Sequence, residues 1–87
     1  MPKVIIPFSC RNYTDNEHEI NMDGESLEEI MEGLWRRHPG LKIILDDPAL
    51  LSIFVNGRLI TTGMEKWDVV SLNKEDEIAL ITPIAGG

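Results

Sequence analysis

The sequence predicts an α+β roll: a mixed sheet of four or five strands with one main helix packed across it. Three observations carry that expectation. The stretch from Ser26 to His38 holds the one strong helical periodicity, and short β-branched or alternating runs stand on both sides of it. The chain has 87 residues, 43% hydrophobic and 26% charged, which suits one folded domain with a single modest core.

Val4-Ile5-Ile6 is β-branched throughout and predicts a strand over Lys3 to Phe8. Asn12 to Glu17 is polar and turn-like. Glu19-Ile20-Asn21-Met22 then alternates polar and apolar, a short half-buried strand ending at Asp23-Gly24. The two strands form an N-terminal hairpin with a long connection. Ser26 is a good N-cap, and Glu29 three residues on completes a capping box. Leu27, Ile30, Met31, Leu34 and Trp35 fall on one stripe. Acidic Glu25, Glu28 and Glu29 lie at the positive end of the helix dipole, and Arg36, Arg37 and His38 at the negative end. The helix is expected from Leu27 to about His38, stopped by Pro39-Gly40.

Leu41 to Leu45 fits a short helical turn or a strand, ended by Asp46-Asp47-Pro48. Leu51 to Val55 reads as a strand, Asn56-Gly57 as a hairpin turn, and Arg58-Leu59-Ile60 as the returning partner. Residues 61–70 form a connection without a period. Asn73 to Asp76 is a polar turn, Glu77 to Thr82 the last strand, and Pro83 ends regular pairing. Residues 1–83 are thus the domain and 84–87 a flexible tail. Val4, Ile6, Ile20, Ile53, Val55, Ile78 and Leu80 are the expected inward positions. Met22, Met31 and Met64 are gap fillers, and Trp67 is either a loop anchor or a contact residue.

Eight Lys and Arg against fifteen Asp and Glu give a formal net charge of −7. That balance repels phosphate, so nucleic acid and anionic membranes are excluded as expected partners, and a protein with a basic patch is favoured. Cys10 is the one cysteine, which rules out an intramolecular disulfide, a Cys-x-x-Cys pair and an iron–sulfur cluster. It is read as a packing residue in a reduced, cytoplasmic protein. Met1 to Phe8 fits neither a secretory signal nor a membrane span. His18 and His38 lack ligand-like spacing, so no metal site is expected. The pairs Asp15/Glu17, Glu28/Glu29, Asp46/Asp47 and Glu75/Asp76 sit at turns or a helix start, where solvated faces account for them. An enclosed pocket of ~300–1,000 Å³ would hollow out so small a core, which favours a binding or carrier module over an enzyme.

The sequence closes on Gly86-Gly87. Two residues without a Cβ make a slender segment of nearly free backbone angle. Such a segment can thread a narrow tunnel and present an unhindered carboxylate for acyl activation. A frayed terminus is the plain alternative.

The element order matches the β-grasp fold of ubiquitin-like proteins. Leu34-Trp35-Arg36-Arg37-His38-Pro39-Gly40-Leu41 resembles the helix end of the ThiS/MoaD sulfur-carrier family. Phe54-Val55-Asn56-Gly57 is similar to its central hairpin, and Asp76-Glu77-Ile78-Ala79 through Pro83-Ile84-Ala85-Gly86-Gly87 to its last strand and tail. The resemblance implies a carrier that binds no cofactor itself. A ubiquitin-activating-like adenylyltransferase uses ATP to adenylate Gly87, with Gly86, Ala85 and Ile84 as the tail it holds. Sulfur from a persulfide donor, a sulfurtransferase, then replaces the adenylate. A partner synthase consumes the thiocarboxylate to build molybdopterin, thiazole or an amino acid, so the chain is a co-substrate or small synthase subunit rather than a catalyst. Ile5-Ile6-Pro7 through Arg11-Asn12-Tyr13-Thr14 is similar to the branch serving cysteine or homocysteine synthesis, with Cys10 where that branch carries Leu.

Two other readings share these residues: a ubiquitin-like modifier joined to lysine through Gly87, and an interaction domain with an inert tail. A β-grasp ferredoxin is excluded, because its cluster needs four cysteines. Strand alternation turns Phe54 and Ile81 outward, and with Leu59 they form the expected partner-binding patch. The competing expectation is that the 61–70 connection folds over them.

Overall fold

The computed structural model describes residues 1–45 and 52–81. In chain order they form β1 (Lys3–Ile5), a first 3-10 helix (Phe8–Tyr13), β2 (Glu19–Asn21), α1 (Leu27–Arg37), α2 (Pro39–Leu45), β3 (Ser52–Val55), β4 (Arg58–Leu59), a second 3-10 helix (Met64–Val69) and β5 (Glu77–Ile81). The five strands lie in the order β2-β1-β5-β3-β4. β1 runs parallel to β5, and the other pairs are antiparallel. This is the expected mixed sheet with α1 across one face. Asp46-Asp47-Pro48, Leu51, Thr82, Pro83 and the 84–87 tail lie outside the described residues.

The core forms where the two periodicities meet. Leu27, Ile30, Met31 and Leu34 of α1 are fully buried, as are Val4, Ile6 and Ile78 of the sheet segments. Ile20, Ile53 and Leu80 are nearly so, and Val55 is half-buried against the same cluster. Each such aliphatic side chain contributes about 1.5–3 kcal/mol by leaving water. Cys10 and Leu41 close one end of the core, and Trp67 and Leu72 also belong to it. Met22 is buried too, its methyl lying over Gly33, 2.8 Å from where a Cβ would stand.

Helix α1 begins as its cap dictates. The Glu29 N–H donates to Ser26 Oγ at 3.2 Å. Glu29 Oε1 in turn accepts from the N–H of Glu25 at 2.8 Å, one residue earlier than the reciprocal capping box reaches. Ser26→Ala is expected to cost about 0.5–2 kcal/mol, read as a lower urea midpoint at unchanged slope. An unchanged midpoint would show that water caps the helix equally well. At the other end the His38 N–H returns to the Leu34 carbonyl at 2.8 Å. Pro39 stops α1 and opens α2, where its missing N–H costs nothing at a first helical position. The apolar run Leu41 to Leu45 is therefore helix.

Three expectations are corrected. β1 stops at Ile5 rather than Phe8, although the Ile6 N–H still donates to the His18 carbonyl at 2.9 Å. Pro7 has no N–H to continue the ladder, and Phe8 starts a 3-10 helix instead. Residues 61–70 are not an aperiodic connection, because Met64–Val69 winds into the second 3-10 helix. Trp67 anchors it from the buried side: its Nε1–H donates to the Thr62 carbonyl at 3.2 Å, and its ring meets Trp35 at 6.2 Å between centroids. Met64 fills no gap; it is exposed.

Candidate functional site

Parallel pairing of β1 with β5 sets Val4 beside Ile78 and Ile5 beside Ala79. The end of β5, from which the Gly-Gly segment continues in sequence, therefore emerges at the same sheet end as Pro7 and Phe8. Phe54 stands opposite Ala79 on one side and Leu59 on the other. One row, Glu19-Ile5-Ala79-Phe54-Leu59, thus crosses all five strands on the face turned away from α1.

The sequence-expected contact residues meet on this face. Leu59 is 50% exposed and Ile81 47%, while Phe54 is half-buried between its strand neighbours. Phe54 and Leu59 are direct cross-strand partners. Ile81 lies opposite Ser52, diagonal to Phe54 and within reach of an aromatic ring. The second 3-10 helix does not cover them, because it packs against α1 on the other side of the sheet.

Two further apolar residues belong to this end of the molecule. Ile5, which alternates with the inward Val4 and Ile6, is half-buried on the outer face. Phe8 is 82% exposed, with the Arg11 guanidinium 5.5 Å from its ring centroid. Reading Phe8 as the end of a strand concealed it; Pro7 was the available signal.

The β3–β4 turn is tied to β5 by a clasp. Asn56 and Gly57 have φ of 52° and 82°, the left-handed pair that a two-residue hairpin of matching twist requires. Asn56 Nδ2–H donates to Asp76 Oδ1 at 2.9 Å, and Asn56 Oδ1 accepts from the Glu77 N–H at 2.9 Å. The Asn56 N–H donates to the Glu77 carbonyl at 2.8 Å, and Asp76 Oδ2 accepts from the Asn73 N–H at 2.8 Å. The Asn73 N–H first, and the Asn56 amide second, hold the Asp76 carboxyl below its ordinary value; burial opposes them weakly. Its charge therefore supports the fold above the ordinary carboxylate pKa, and that support fades as pH falls through the lowered value. The Asn-Gly pair was legible as a turn, but its reach to Asp76 was not.

Among the described residues, no group of three or more His, Cys, Asp or Glu is placed to hold a metal ion, and no helix is long and apolar enough to cross a membrane. Cys10 is buried in the core. What this surface offers is an apolar patch beside the point where β5 ends. Gly86, Gly87, Ala85 and Ile84 themselves lie outside the described residues.

Known proteins share this fold. CysO of Amycolatopsis orientalis, solved in complex with BexX, aligns at TM-score 0.84 and 22% identity over 100% of both chains. Small archaeal modifier protein 1 of Methanosarcina acetivorans aligns at TM-score 0.77 and 24% identity, over 99% of this chain and 95% of its own. Molybdopterin-converting factor of Helicobacter pylori, solved as a complex of its subunits 1 and 2, contains a chain that aligns at TM-score 0.68 and 22% identity, over 99% and 97%. These likenesses establish the β-grasp, ubiquitin-like fold. No curated protein sequence matches the chain. The family model described as the ThiS family matches residues 4–87, a span that takes in all of the sheet but Lys3, the helix α1 and the closing glycine pair. The chain belongs to the ThiS family.

Proposed function

We propose that this protein is a sulfur carrier whose Gly87 carboxylate is adenylated by an ATP-dependent activating enzyme, converted to a thiocarboxylate and consumed by a partner synthase. The family match carries this reading, because it extends without a break through Gly86 and Gly87. A carboxylate is a poor acyl donor; adenylation supplies AMP as a leaving group that a persulfide sulfur displaces to give an acyl disulfide. A second thiol then cleaves the S–S bond, forming a disulfide with the donor cysteine and releasing the thiocarboxylate. The chain contributes the acyl carbon, a tail without Cβ atoms at its last two residues, and a face for docking. ThiS-family members act as carriers, and catalysis belongs to the partners.

Complexes of CysO with BexX and of the two molybdopterin-converting subunits support a synthase-type partner for such a fold. Arg11-Asn12-Tyr13-Thr14 favours the branch serving cysteine or homocysteine synthesis. Phe54→Ala is expected to weaken partner binding about tenfold, because an aromatic anchor at the centre of an apolar patch carries a large share of affinity. Calorimetric titration with the partner measures this. Unchanged affinity in the folded variant would move the docking face elsewhere.

The direct test incubates the protein with its activating enzyme, ATP and a sulfur donor, followed by intact-mass measurement. Replacement of one terminal oxygen by sulfur supports the carrier reading. An unchanged mass with the cognate enzyme present overturns it, and a new species joined to a lysine of another protein favours the modifier reading.

A further inference from the structure

The β3–β4 turn is reactive in its own right. Asn56 and Gly57 are both exposed, and a Cβ built on Gly57 would meet no atom within 4 Å. With no side chain there, the Gly57 nitrogen is an unhindered nucleophile toward Asn56 Cγ. Its attack forms the N–Cγ bond, loses the amide proton to water and breaks the Cγ–Nδ2 bond, with Nδ2 leaving as ammonia. The resulting succinimide adds one water and opens to aspartate or isoaspartate at position 56. Water is the sole co-reactant.

In the closed hairpin this attack is opposed. The Asn56 amide is held at both ends, by Asp76 Oδ1 at 2.9 Å and the Glu77 N–H at 2.9 Å. For the Gly57 nitrogen to reach Cγ, the side chain must turn back on its own backbone and give up both bonds. Asp76 cannot follow, because its other oxygen is fixed by the Asn73 N–H at 2.8 Å. Reaction also removes Nδ2, the donor in the clasp. A carboxylate at position 56 would then face the Asp76 carboxylate across a hydrogen-bond distance, with Glu75 and Glu77 adjoining in sequence. Like charges that close disfavour each other strongly, so the clasp does not re-form.

We propose that Asn56 is a site of spontaneous deamidation kept closed by its hydrogen bonds to Asp76 and Glu77, and that its reaction irreversibly unlatches the β3–β4 turn from the start of β5, beyond the last paired residues Val55 and Ile78. The turn joins the strands of Phe54 and Leu59, so the product is an aged carrier whose docking face is loosened at its β4 side, where Leu59 is held through β3. That last consequence rests on the sulfur-carrier reading; the chemistry at Asn56 does not.

The test incubates the full chain, Asp76→Ala and Ser26→Ala in parallel at neutral pH and 37 °C, with peptide mapping of position 56. The urea-unfolded chain serves as the unprotected reference. Folded wild type is expected to deamidate at least roughly tenfold more slowly than the unfolded chain. Asp76→Ala should be several-fold faster than wild type, while Ser26→Ala, destabilised at a distant cap, should keep the wild-type rate. Equal rates for wild type and unfolded chain, or for wild type and Asp76→Ala, overturn the proposal. Equal acceleration in Ser26→Ala does so too, since global unfolding would then control the reaction. Asn56→Asp supplies the product's readout: loss of hydrogen-exchange protection at the residue 56 N–H, which bonds the Glu77 carbonyl at 2.8 Å in the closed turn, is expected, and retained protection rules out an unlatched turn.

Discussion

Deleting Gly87, or adding one alanine after it, is expected to abolish thiocarboxylate formation while leaving the melting temperature in place. The first change moves the acyl carbon one residue back, and the second buries it in a peptide bond. Neither touches the core, whose buried side chains among the described residues run from Val4 to Leu80. Gly86→Ala is expected to act the same way, by adding a Cβ and narrowing the backbone angles of a segment that must enter an enzyme. Intact-mass measurement after incubation with the activating enzyme reads activity, and thermal denaturation reads the fold. Thiocarboxylate on the variant extended by alanine would show that the reactive carbon is not that of Gly87.

The largest loss of stability is expected from Ile30→Ala. Ile30 is fully buried on the inner face of α1, and its Cδ1 lies 3.0 Å from where a Cβ on Gly24 would stand, so it fills the space under the turn entering the helix. Truncation at such a site costs about 2–5 kcal/mol. A domain of 87 residues holds a total of about 4–13 kcal/mol, so the truncation removes a large share of it. Ile30→Val, which removes one methylene, should cost about 0.5–1.5 kcal/mol. Urea denaturation measures both. A cost below about 1 kcal/mol for the alanine variant would mean that α1 is not pressed on the sheet at this residue.

What the sequence discloses follows from where the physics is local. The stripe from Leu27 to Trp35 and its Ser26 cap define α1 because period and capping act within a few residues. Asn56-Gly57 defines a turn for the same reason. The family and the closing glycines were legible from short motifs whose order spans the chain. By contrast, the 3-10 helix at Met64–Val69 is held by Trp67 meeting Trp35 on a distant segment, a tertiary contact that leaves no period behind. Phe8 was misplaced because β-branching in Val4-Ile5-Ile6 outweighed the proline that ends the strand. The Asn56–Asp76 clasp joins residues that only the β3–β5 pairing brings together.

The parallel seam between β1 and β5 also constrains the order of folding. It joins the first strand to the last, so almost the whole chain must be gathered before Val4 meets Ile78. Closing so long a loop costs entropy before any contact repays it, whereas α1 and the β3–β4 hairpin close over short distances. The seam is therefore expected to form late. Substitutions along it, such as Val4→Ala, should chiefly speed unfolding, and substitutions in α1 should chiefly slow folding; chevron analysis separates the two. The strand that leads in sequence to the closing glycine pair is then the one that closes the domain.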